Sequence, residues 1–367
     1  MAKAARRGLT ARLADLRAAY WSPGPVLRAT SQSELRLIYG GWLLAFSLKV
    51  LGSTWDVSWH FRWLRDDLAP PHLLNSAGTA LVVALVVFHT YTGFGVDRIA
   101  LRWMQWGIGL FLFAVPLDLV NHRLFGLDIT SWSPTHAVLY LGTAVMLVGV
   151  LRGWSLGAES GRRRDVVLLA LWAFFLENVL FPNQHQEYGV LSLRAFESGR
   201  PTAEPILLDF ARAQGSSPAE FMLPVPSWVH PSWLVCAGLF TLLVLRRTTN
   251  LRWAATTVAA GYLLYRAVAW ALLVAGDFPP SALPVMLLAG AIAVDLAVTR
   301  RLPVLLAAPG VVANTYAAAW VSGELAVVPP WAWWSAPLVA AAFTVQWLGL
   351  ERLLPRPATA AWATPRP

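Results

Sequence analysis

The chain has very little cysteine. A single thiol, Cys236, sits in an apolar run of a 367-residue chain, so neither a disulfide-stapled fold nor a thiolate metal cluster can be built. Charge is also scarce: 13% of residues are ionised, where a soluble domain carries roughly 25%. With 57% hydrophobic residues and a mean hydropathy of +0.53, disorder is excluded, and most of the surface must face something other than water. No Gly-rich phosphate loop and no His-Glu-x-x-His zinc motif is present, and ordinary kinase or hydrolase chemistry is not expected. Arg6-Arg7 is not followed by a short apolar core, so a twin-arginine leader is not expected either.

What is abundant is apolar sequence in long runs. Stretches able to cross about 30 Å of hydrocarbon recur along the chain. They fall at roughly 37–58, 73–95, 101–121, 136–155, 165–182, 230–246, 252–275, 281–299, 302–323 and 331–350. The pattern predicts an all-α, polytopic membrane bundle of about ten helices arranged as five hairpins. Residues 1–36 form a basic N-terminal segment, 37–351 the bundle and 352–367 a tail, with a long connection at 183–229 expected to cap one face. Leu9, Leu13, Leu16 and Tyr20 recur at helical spacing among basic residues, as in a helix resting on anionic lipid. Twenty tryptophans fit rings placed at lipid–water interfaces.

The net charge of +9 would point to nucleic acid in a soluble protein. Here it marks one membrane face, and no nucleic-acid partner is expected. Twenty-one of the 29 basic residues fall in the N-terminal segment, the tail and alternate turns, among them Arg98, Arg152, Arg162 to Arg164, Arg246, Arg247, Arg300 and Arg301. The positive-inside rule then predicts cytoplasmic termini in a bacterial plasma membrane.

Two adjacent hairpins carry matching sequences at the other ends of the spans. Asp56-Val-Ser-Trp-His60 is followed by Asp66, His72 and Gly78; Asp118-Leu-Val-Asn-His122 is followed by Asp128, His136 and Gly142. Every interval is conserved between the copies except the connection to the second histidine, which differs by two residues, and this reads as an internal repeat. Asp and His at i and i+4 lie on one helix face about 6 Å apart at Cβ. A histidine opening the returning helix adds a third ligand, with proline placed where a helix N-terminus tolerates it. Each copy thus offers one carboxylate and two imidazoles, a set suited to copper, zinc or iron. The same residues also suit a polar network tying helix ends together, or, less simply, paired axial ligands to haem. A third, weaker hairpin holds Glu177, His185 and His230. Within the spans, Lys49 shares a stripe with Asp56, and Glu177 is the expected partner of Arg266.

Asp56-Val-Ser-Trp-His60 with Arg65-Asp66 and Pro71-His72 resembles the metal-site motif in the C subunit of copper-containing membrane monooxygenases, the particulate methane and ammonia monooxygenases. That pattern runs Asp-x-Ser-Trp-His, Arg-Asp, Pro-x-His. Pro71 adjoins His72 where the family leaves a gap, which Pro134-Thr135-His136 restores; the second copy has Asn121 in place of Trp and no Arg before Asp128. The resemblance implies that Asp56, His60 and His72 ligate copper, and through the repeat Asp118, His122 and His136. Asp66 and Asp128 are expected to orient imidazoles. The expected activity is oxidation of a small apolar substrate arriving through the lipid bilayer, with electrons from a partner membrane subunit or other donor. A metal-acquisition protein, a permease and a structural subunit of a membrane complex are the non-enzymatic alternatives.

Overall fold

The computed structural model describes residue 12 and residues 14–63, 68–125, 130–200, 204–213, 215–249 and 251–354, apart from the side chains of 122–125. It is all-helical, 79% helix, with no strand among the described residues. The helices are α1 (Gln32–His60), α2 (Pro70–Thr92), α3 (Arg98–Phe125), α4 (Pro134–Gly157), α5 (Arg162–Glu197), α6 (Pro205–Ala213), α7 (Pro218–Met222), α8 (Val229–Thr248), α9 (Ala254–Ala275), α10 (Met286–Thr299), α11 (Val304–Leu325) and α12 (Ala336–Leu353).

Eight of them are long and apolar enough to cross a membrane: α1 to α5, α8, α9 and α11. The two remaining expected spans are helical but fall short for visible reasons. Pro279, Pro280 and Pro284 keep the chain irregular up to Met286, so α10 has only 14 residues. α12 begins only after a 3₁₀ turn at Trp333–Ser335, and its 18 residues carry Glu351 and Arg352 in the last turn.

Local signals set the helix ends. Ser31 and Glu34 form a capping box at the start of α1. Pro70 and Pro71 open α2, and Ser133 caps α4 ahead of Pro134. Gly93, at φ 71°, closes α2 in the left-handed conformation.

The chain departs most from expectation at α5. The fifth span was expected to stop at Pro182 and give way to a loop, but α5 runs through Pro182 to Glu197. A proline removes the rung to the carbonyl of the preceding turn, where Trp233 Nε1 donates to the Val179 carbonyl at 2.7 Å, and Ser131 Oγ donates to the Pro182 carbonyl itself at 3.2 Å. The polar run Asn183-Gln184-His185-Gln186-Glu187, loop-like as sequence, is buried. The rest of the expected connection does cover one end of the bundle: Leu207, Leu208, Phe221 and Met222 of α6 and α7 pack on Val57, Phe61, Phe181 and Tyr188. In the N-terminal segment residues 14–20 are helical with Leu16 and Tyr20 exposed, while Leu9 and Leu13 lie outside the described residues.

Two apolar cores flank α5. One joins α1 to α4 through Tyr39, Trp42, Phe46, Val82, Met104, Met146 and Trp154. The other joins α8 to α12 through Leu239, Leu242, Val258, Met286, Val311 and Phe343. The most extensive helix contacts pair α1 with α2 and α3 with α4.

Candidate metal centre

Glycine sets the register of α1 on α2. A Cβ on Gly52 would lie 2.8 Å from Asn75 N and 2.9 Å from Pro71 O, so the two backbones pack directly, one turn from Asp56 and beside His72. Asn75 Nδ2 donates to Ser53 Oγ at 2.9 Å, and Lys49 Nζ donates to Asn75 Oδ1 at 3.1 Å and Thr79 Oγ1 at 3.0 Å. These contacts bring the start of α2 against the end of α1.

The result is a converging Asp/His/His cluster. Asp56 Oδ1 lies 2.8 Å from His72 Nε2 and 3.4 Å from His60 Nε2, and one ligand atom from each residue falls within 4.8 Å of the others. Both imidazoles thus turn a ring nitrogen to the same carboxylate oxygen, an arrangement that a shared proton or a shared cation can hold, and two imidazoles with one carboxylate fit a borderline divalent metal. The side chains are 19–26% exposed, sheltered but reachable.

The second copy is partly assembled in view. Asp118 of α3 and His136 of α4 approach to 3.8 Å, and Thr135 Oγ1 donates to Asp118 Oδ1 at 2.8 Å. His136 Nδ1 meets the Thr130 carbonyl at 3.1 Å; a carbonyl only accepts, so Nδ1 carries a proton, and Nε2 is the ring nitrogen that faces Asp118. The His122 side chain, Asp66 and Asp128 lie outside the described residues. The helix crossings of the two copies match in detail. A Cβ on Gly78 would meet Ala45 O at 2.8 Å and Lys49 N at 3.0 Å, and one on Gly142 would meet Gly107 O at 2.9 Å and Phe111 N at 2.7 Å. Ala45 and Lys49 stand eleven and seven residues before Asp56, as Gly107 and Phe111 do before Asp118.

Both sets open on one cavity of about 480 Å³ among α1 to α5. Its wall is apolar at Phe46, Phe111, Leu112, Val115, Leu119 and Leu139, and polar at Lys49, Asn75, Thr79, Tyr140, Glu177 and Asn178.

Other ionisable groups found different partners from those expected. Arg266 pairs with Glu187 at 2.7 Å, not with Glu177, which instead accepts from Gln184 Nε2 at 2.8 Å and Thr54 Oγ1 at 3.4 Å. Glu187 falls in the stretch that sequence reads as a loop; its signal is the helical spacing of Glu177, Gln184 and Glu187. His230 Nε2 lies 3.4 Å from Glu187 Oε1, and His185 Nε2 lies 3.2 Å from the Phe221 carbonyl, so the third hairpin holds its histidines in other contacts. His89 is structural: Nδ1 donates to Phe94 O at 2.8 Å and Nε2 accepts from Trp42 Nε1 at 2.9 Å. Asp295 pairs with Arg246 at 3.0 Å. Gly153-Trp154-Ser155-Leu156-Gly157 spells Gly-x-Ser-x-Gly, but it lies within the last turns of α4, with no strand before it, and is not a nucleophile elbow.

No family model, curated protein or solved structure matches this chain, so its reading rests on the fold and on the geometry of these side chains.

Proposed function

We propose that the protein is an integral membrane metalloprotein that holds a divalent transition metal, copper first, on Asp56, His60 and His72. It uses that metal to oxidise a small apolar substrate. The observation that carries this is the convergence of three ligand atoms, one carboxylate oxygen and two imidazole nitrogens, within 4.8 Å at the wall of a cavity. Bound copper would supply one-electron redox chemistry and activation of dioxygen. The chain's own residues do the rest. Asp56 supplies the negative charge that favours a cation at the two imidazoles. Gly52, Asn75 and Lys49 hold α2 in the register that keeps His72 on Asp56. The apolar side chains of the cavity receive the substrate and exclude water from it. Asp118, His122 and His136 form a second site of the same kind, and Asp66 and Asp128 orient imidazoles. All ten expected spans cross the bilayer as five hairpins, with the arginine-rich ends cytoplasmic, and a partner subunit or other donor supplies electrons.

The test is metal content. Protein purified in detergent after growth with added copper should carry near-stoichiometric copper, lost in His60→Ala. Retention in His60→Ala with loss in His122→Ala would move the site to the second copy. Metal-free wild-type protein would end this reading.

A further inference from the structure

α5 carries Glu177, Gln184 and Glu187 at i, i+7 and i+10, one stripe of one helix. All three are buried, at 4%, 0% and 1% exposure. The stripe starts in the cavity wall at Glu177 and ends in a charged cluster between the two cores. There Arg266 Nη1 donates to Glu187 Oε2 at 2.7 Å and to Tyr262 OH at 3.1 Å, Arg266 Nη2 donates to Ser281 Oγ at 2.8 Å, and His230 stands on the other Glu187 oxygen. At the cavity end, Tyr265 OH donates to Thr54 Oγ1 at 2.8 Å, which donates on to Glu177.

Polar atoms beside this stripe have no hydrogen-bond partner in the protein: Asn183 Oδ1, Gln184 Oε1 and His230 Nδ1, with Trp331 Nε1, whose ring lies 5.7 Å from His230. A dry orphan costs about 1–3 kcal/mol, and this many together would rival the net stability of about 5–15 kcal/mol that folded domains have. The set mixes donors with acceptors, and internal water, which makes about three hydrogen bonds, satisfies both kinds.

We propose that this stripe of α5 holds a chain of internal waters joining Glu177 at the cavity to Glu187, Arg266 and His230, and that the chain conducts protons to the cavity. A proton enters on the His230 side, each water passes one proton on as it accepts another, and one leaves from a Glu177 carboxyl oxygen. Only O–H and N–H bonds form and break, and no electron moves. The ionisable groups facing the chain are Glu177, Glu187 and Tyr188 of α5, Tyr262, Tyr265 and Arg266 of α9, and His230 of α8. The use of the protons rests on the proposed oxidation chemistry; the water chain does not.

Deuterium exchange at the histidine ring carbon between the two nitrogens, read by mass spectrometry on the full chain in detergent, tests this directly. That exchange needs solvent to reach the ring. His230 and His89 are equally buried, at 1% and 0%, but His89 has both ring nitrogens bonded in an apolar core. The expected result is exchange at His230 clearly ahead of His89, which stays protected throughout. Gln184→Leu, or Gln184→Met should the first not fold, is expected to slow His230 toward His89. Wild-type protection at His230 equal to that of His89 would overturn the proposal. So would exchange at His230 that neither substitution changes, because water would then reach it without the link to Glu177. Exchange does not require bound metal, so this proposal and the metal reading fail separately.

Discussion

Lys49 Nζ lies 3.9 Å from the centre of the Phe111 ring, and the two residues hold equivalent positions in the two copies, each seven residues before the aspartate. The repeat therefore closes on itself, with one copy supplying a cation and the other the aromatic face that shelters it. The contact lies at the cavity that both Asp/His sets share.

Lys49→Met keeps the length of the side chain but deletes its bonds to Asn75 and Thr79 and leaves the Asn75 oxygen without that donor. The expected loss is about 1–3 kcal/mol of stability. It should appear as a lower thermal midpoint in detergent. An unchanged midpoint would show that Lys49 does not clamp α1 to α2.

Gly52→Ala should separate the helices where α2 begins, because its Cβ would meet backbone at 2.8 Å. Overpacking of this kind costs about 1–3 kcal/mol. As His72 moves off Asp56, metal affinity should fall by about 10–100-fold, the range for lost supporting contacts at metal ligands. Gly40→Ala, which has nothing within 4 Å of the new methyl, is the matched control and should lower neither quantity. Equal behaviour of the two variants would refute the register argument.

Glu187→Gln leaves the buried Arg266 guanidinium without its carboxylate. Breaking such a pair costs about 3–5 kcal/mol. Glu177→Gln removes no ion pair and should cost clearly less. Denaturant titration of both variants distinguishes the two partner assignments for Arg266, and a larger loss in Glu177→Gln would reverse the one made from the structure.

Bound metal should stabilise the native state by about 2.7 kcal/mol when free metal is 100 times Kd. Adding a copper or zinc salt should raise the thermal midpoint, a chelator should reverse the rise, and His72→Ala should abolish it. A rise that persists in His72→Ala would place the ion elsewhere.

At the opposite end of the bundle, burial opposes the charge of Asp97, but hydrogen bonds from Arg152 at 2.8 to 3.1 Å outweigh it and hold the carboxyl below its usual range. A lowered folded-state value means that the stabilisation is complete above the unfolded carboxylate value of about 3.9 and is lost as pH falls through the folded one. Wild-type protein should therefore lose stability below about pH 4 more steeply than Asp97→Asn. Parallel acid profiles for the two proteins would remove the pair from the account.

The all-helical class, eight of the long apolar helices and the Asp56–His60 pair were legible in the chain because each depends on local spacing. Apolar runs set the helices, and an i, i+4 interval places Asp56 and His60 on one face whatever surrounds them. The shared intervals of the two copies likewise anticipated the matching crossings at Gly78 and Gly142. Tertiary structure decided the rest. That His72 reaches Asp56 depends on backbone contact between two helices at Gly52. That α5 continues through Pro182 depends on burial of a polar run that local sequence reads as loop. That Arg266 meets Glu187 rather than Glu177 depends on which turn of α5 faces α9. Each of these is a choice among neighbours distant in sequence, made by packing and by the cost of leaving a buried charge or polar atom without a partner.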